Sequence, residues 1–149
     1  MFHLDPPPDF KSFDRHGELA ISSRNLPHWR QDGATYFVTF RLADSMPQVA
    51  LRDLKSLRNH LLSLSKGEEG SESGKEELRR ELMIRSERWL DRGLGSCLLQ
   101  RGESLKIMNR ALQHLNGCQY HLGAYVIMPN HVHALIRPFR GHPLEQVLR

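Results

Sequence analysis

Cysteine is scarce in this chain: Cys97 and Cys118 are the only two. A single pair cannot supply the disulfide framework of a small secreted domain, and no CxxC spacing offers a zinc site. Both thiols are expected as small core residues, with Cys118 as a thiolate ligand the lesser alternative. Long apolar runs are also missing. None approaches the roughly 18 residues that cross a bilayer, and the N-terminus opens on Asp5, Pro6, Pro7, Pro8 and Asp9 in place of an apolar signal core. The expectation is a cytoplasmic protein with no membrane partner. Charge of one sign does not dominate either. Lys and Arg number 21 against 17 Asp and Glu, a formal charge of +4, which pushes only mildly toward polyanionic partners. No internal repeat is visible, and tyrosine occurs three times, always before residue 131.

What is present fits a globular protein. With 149 residues, 39% hydrophobic and 26% charged, the chain is long enough to bury a real core in one domain. Residues 1–23 combine three prolines with scattered charge and read as an extended, poorly ordered arm, leaving 24–149 as the domain. Thr35 to Leu42 alternates as a strand, with Tyr36, Val38, Phe40 and Leu42 on one face and Thr35, Phe37, Thr39 and Arg41 on the other. Ser45-Met46-Pro47-Gln48 has the form of a capping box with proline in the first turn. A helix follows, its core stripe Leu51, Leu54, Leu57, Leu61 and Leu64 opposed by basic residues. The text SKGEEGSESGK from Ser65 to Lys75 reads as an acidic loop, then a helix from about Glu76 to Leu90 stopped at Gly93. A third helix is expected over Glu103 to Asn116, ended by Gly117, and Pro143 opens the first turns of another, which runs to Arg149.

The most informative stretch is YHLGAYVIMPNHVHALIR, Tyr120 to Arg137. It predicts two apolar strands joined at Met128-Pro129-Asn130. Because side chains alternate along a strand, His131 and His133 share one face while Val132 and Ala134 share the other. Two imidazoles at that spacing form half of a metal site on a rigid support. A packed or solvent-facing pair is the plainer alternative, but an idle imidazole inside an apolar hairpin carries a desolvation cost that a bound cation removes.

The sequence VIMPNHVH resembles the signature of the single-tyrosine HUH transposases, in which two histidines flank a bulky apolar residue, here His131, Val132 and His133. The wording is similar to the branch associated with repetitive extragenic palindromes. Two upstream segments carry the same likeness: RNLPHWRQDGATYFVTFRLADSMP, Arg24 to Pro47, and RWLDRGLGSCLL, Arg88 to Leu99. The resemblance implies an α+β fold with a ferredoxin-like antiparallel sheet, helices packed on one face and the HUH motif on a central strand. It also implies divalent Mg or Mn at the histidines, single-stranded or hairpin DNA as partner, a possible homodimer, and strand transfer through a 5′-phosphotyrosine link.

One departure stands out. The family's nucleophilic tyrosine and a further ligand lie on a helix after the motif, and no tyrosine follows His133 here. The expectation is therefore a domain truncated before that helix, with the nucleophile beyond Arg149 and Tyr125 a weak substitute. For DNA contact the candidates are Arg24, Trp29, Arg41 and Arg137, with Arg140 behind, because guanidinium groups pair phosphates and indoles stack bases. Two other readings stay open. The chain can be a non-catalytic nucleic-acid-binding remnant, or a zinc metallohydrolase using His131 and His133 with His142 or His121.

Overall fold

A computed structural model describes residues 2–3, 11–12, 20–23, 27–31, 33–66 and 71–148; for the strand residues before 31 and for residues 65–66 only the backbone is described. Arg149, the expected end of the domain, lies outside the described residues. The protein is α+β. Strands β1 (Phe2–His3), β2 (Ala20–Ser23), β3 (Pro27–Arg30) and β4 (Tyr36–Arg41) precede helices α1 (Gln48–Lys66), α2 (Glu72–Leu90) and α3 (Gly102–His114). The hairpin β5 (Tyr120–Ile127) and β6 (His131–Pro138) and the short α4 (Leu144–Val147) follow. The chain divides into two compact units, residues 1–40 with 98–149, and residues 41–97.

The first unit holds the sheet, in the order β1-β5-β6-β4, while β2 and β3 form a separate antiparallel pair. Within the stretch expected as an arm, Phe2 and His3 pair antiparallel with Val126 and Tyr125. An edge strand needs only backbone donors and acceptors, so it leaves no apolar period to read. The β5–β6 hairpin turns where the Pro-Asn signal placed it, with the Met128 N–H donating to the His131 carbonyl at 2.8 Å. One sheet face is the core. Tyr120, Leu122, Tyr125 and Ile127 of β5 and Val132, Ala134 and Ile136 of β6 are buried there. Helix α3 lies against this face: the Tyr120 hydroxyl donates to the Leu112 carbonyl at 2.7 Å, and the Tyr125 hydroxyl to Asn109 Oδ1 at 2.6 Å.

The second unit is a pair of helices closed around Met46, Ala50 and Leu90, with Leu51, Leu54 and Trp89 packed against them. The capping box at Ser45 does not form. Ser45 is buried with its hydroxyl unpartnered among the described residues, and the Pro47 carbonyl accepts from the Leu51 N–H at 3.1 Å. The residue before a proline is pushed out of the helical region, so Met46 cannot begin a helix and the first turn moves to Gln48. Helix α2 starts at Glu72, earlier than expected, because the Ser71 hydroxyl accepts the Gly74 N–H at 3.2 Å. An acid-rich segment that reads as loop also suits a capped first turn.

After α2 the chain folds tightly on itself. The Asp44 carboxylate accepts the Ser96 N–H at 2.7 Å, which holds its pKa below the usual carboxylate value. Gly95 has φ +89°, and a Cβ there would come within 2.5 Å of the Asp44 carbonyl oxygen. Neither cysteine is a core residue as expected. Cys118 is exposed in the turn after α3, and Cys97 is half-buried at φ 48°. Both fall in chain reversals, where backbone position outweighs side-chain polarity.

Candidate metal centre

Strand β6 has a neighbour on each side, β5 and β4, so its two faces are fixed by pairing. Tyr125 stands opposite Ala134 and Val126 opposite His133. Cross-strand partners share a face, which puts His133 and His131 on the side away from α3. The two rings meet there: their Nε2 atoms are 3.0 Å apart and the rings are nearly perpendicular, at 76°.

Both Nδ1 atoms are engaged. That of His131 is 2.7 Å from Asn130 Oδ1, and a carbonyl oxygen can only accept, so Nδ1 carries the proton and Nε2 the lone pair. That of His133 is 2.9 Å from the Thr39 hydroxyl on β4, which accepts when Nδ1 is the protonated nitrogen. Phe37, two residues earlier on the same strand face, stacks on the His133 ring with centroids 5.1 Å apart. His131 and Asn130 are buried and His133 is half-buried.

Two lone pairs converging at this distance repel unless a proton or a cation lies between them. Two imidazoles on one ion at bond lengths of roughly 2.0–2.1 Å, with angles from about 90° to 109°, stand roughly 2.8–3.4 Å apart. The observed separation of 3.0 Å fits. The pair can therefore hold a metal ion, and the outer-nitrogen partners are of the kind that fix ligand tautomer and ring orientation. The identity of the ion does not follow from two nitrogens.

The other residues singled out in the sequence are spread around this pair. Tyr125 is buried on the opposite face, its phenol held by Asn109. Arg137 lies on the histidine face, directly across from His121, and roughly 13 Å along the strand from His133. His121 itself packs edge-on against Phe139. Among the described residues neither His121 nor His142 joins the histidine pair. Arg41 ends β4, exposed, and donates to the carbonyls of Leu42 and Ala43. Arg140 is exposed in the turn after β6. Trp29 lies in β3 opposite Ile21, its side chain outside the described residues, as is the whole of Arg24. The tyrosine expected beyond Arg149 likewise falls outside them, and the described helix α4 stops at Val147.

Asn130, Thr39 and Phe37, which lie about the pair, went unassigned from sequence. Thr39 and Phe37 were legible as sharing a strand face, but nothing local said that this strand lies beside the histidines. Comparison with protein-family profiles, curated proteins and solved structures finds no match. The class defined by the fold and the site is thus an α+β protein with an antiparallel sheet and a paired-imidazole group able to hold a metal ion.

Proposed function

We propose that this protein binds single-stranded or hairpin DNA and holds Mg or Mn at His131 and His133, in the manner of an HUH transposase with a ferredoxin-like core. The observation that carries the reading is the convergence of the two Nε2 atoms at 3.0 Å with both outer nitrogens held. A bound divalent ion would supply charge stabilisation at phosphoryl oxygens. The chain's own part is to fix the two imidazoles, through Asn130 and Thr39, and to offer Arg137 on the same face for backbone phosphate.

Strand transfer also needs an attacking hydroxyl. Tyr120 and Tyr125 face α3 across the sheet, and the Tyr36 hydroxyl is occupied by Gln31. In this proposal the nucleophile is none of the three. A second reading has its own support: 3.0 Å is also an ordinary N–H···N hydrogen-bond length, which suits a nucleic-acid-binding protein whose histidines hold no ion.

Calorimetric titration of Mn²⁺ into the wild type and into the His131→Ala/His133→Ala variant separates these readings. We expect binding in the first and at least a tenfold loss in the second; equal affinities would defeat the metal assignment. Incubation with single-stranded DNA hairpins and Mn²⁺ should give a retarded complex and, on a denaturing gel, no covalent adduct. An adduct abolished by Tyr125→Phe would overturn the account of the nucleophile.

A further inference from the structure

We infer that Phe37 is a stacking platform for one unpaired nucleobase, beside the histidine pair. The inference rests on the DNA-binding reading above and names what the site grips besides phosphate.

Phe37 is 59% exposed, and among the described residues no other large hydrophobic side chain on a strand is exposed. Its strand explains why it stands out: Thr39 lies on the same face, while Tyr36, Val38 and Phe40 turn to the other side. An isolated exposed phenylalanine loses hydrophobic stabilisation that a polar residue would not forgo. Its ring is not loose, however. It lies 18° from parallel with the His133 imidazole, so one π-face is oriented by the sheet and the other is presented outward.

The surroundings choose the occupant. An apolar protein partner needs a contiguous apolar patch, and Phe37 has the polar Thr39 and the His133 imidazole beside it. A nucleobase needs a single flat aromatic face, with hydroxyls and cationic groups close by for sugar and phosphate. On the same sheet face Thr39 supplies a hydroxyl beside the ring, and Arg137, roughly 13 Å farther along β6, supplies positive charge for the phosphate of a neighbouring nucleotide. A base stacked on Phe37 would extend the ring pair and bring its own phosphate toward the imidazoles. A duplex could not use this platform, because its bases are already stacked.

The test measures binding of a single-stranded oligonucleotide carrying 2-aminopurine to the wild type, Phe37→Leu and Phe37→Trp. Wild type and Phe37→Trp should quench the fluorophore and bind with similar affinity. Phe37→Leu should lose the quench and bind roughly 5- to 100-fold more weakly, with Mn²⁺ affinity and melting temperature unchanged. Equal affinity and equal quench in Phe37→Leu would remove the platform while leaving the DNA-binding reading intact. A matching fall in Mn²⁺ affinity would instead make Phe37 a support for His133 and overturn the inference. Failure of the wild type to bind single strands at all would defeat both proposals.

Discussion

The two faces of strand β6 carry opposite duties within eight residues. Val132, Ala134 and Ile136 are sealed against the α3 layer, whereas His131 and His133 present nitrogens to each other and to Asn130 and Thr39. The same backbone ladder serves both. Precision at the imidazoles thus derives from rigidity on the far side: side chains that cannot shift on one face hold the strand from which the other face projects. Damage to the apolar face should cost folding, and damage to the polar face should cost binding.

The sharpest attempt to break this division is Ile136→Ala. Removing buried methyl groups from the core face should lower stability by about 2–5 kcal/mol, read as a shift in the urea unfolding midpoint. A loss below about 1 kcal/mol would show that the two faces differ less in packing than the burial pattern states.

On the polar face the corresponding change is Thr39→Val, which keeps shape and removes the hydroxyl bonded to His133. Mn²⁺ affinity should fall roughly 10- to 100-fold, recover in Thr39→Ser, and leave the unfolding midpoint nearly in place because Thr39 is exposed. A stability loss without an affinity loss would make Thr39 structural.

Tyr125→Phe returns to the core face with a smaller effect. It removes a hydroxyl that donates to Asn109 and should cost about 1 kcal/mol with no change in Mn²⁺ or DNA binding. A change in either would place Tyr125 in the site despite its orientation.

The weakest effect expected is one of pH. Burial raises the Tyr120 hydroxyl above its ordinary value, offset in part by a backbone hydrogen bond at Leu115. The folded state then keeps its proton at a pH where the unfolded chain has released it. Stability from this group is complete below about 10, the unfolded value, and declines as pH rises through the higher folded one. The wild type should lose stability on entering that range more steeply than Tyr120→Phe; parallel curves would show that Tyr120 does not contribute.

Much of this was open to reading from sequence because it depends on local periodicity. The hairpin at Met128-Pro129-Asn130, the common face of His131 and His133, and the alternation of Tyr36 to Arg41 all follow from a repeat of two residues. Helix ends were less legible: Ser45 reads as a cap and does not form one, whereas Ser71 lies in a segment that reads as loop and does. Met46 precedes a proline and blocks the first cap, while nothing prevents the second.

Tyr125 marks where local reading stops. Strict alternation from Tyr120 would put it on the face opposite Tyr120 and Leu122, yet the irregularity between Leu122 and Tyr125 inserts a residue and returns it to the core side with them. A bulge of this kind is set by the partner strand, not by the residues that form it.

The sequence by itself determined which residues form the hairpin and that two imidazoles project together from it, since strand geometry ties side-chain direction to position. Only the tertiary structure decided what those rings meet. Thr39 and Phe37 lie more than ninety residues before His133, and they reach it because β4 pairs beside β6, a long-range choice that no local pattern encodes.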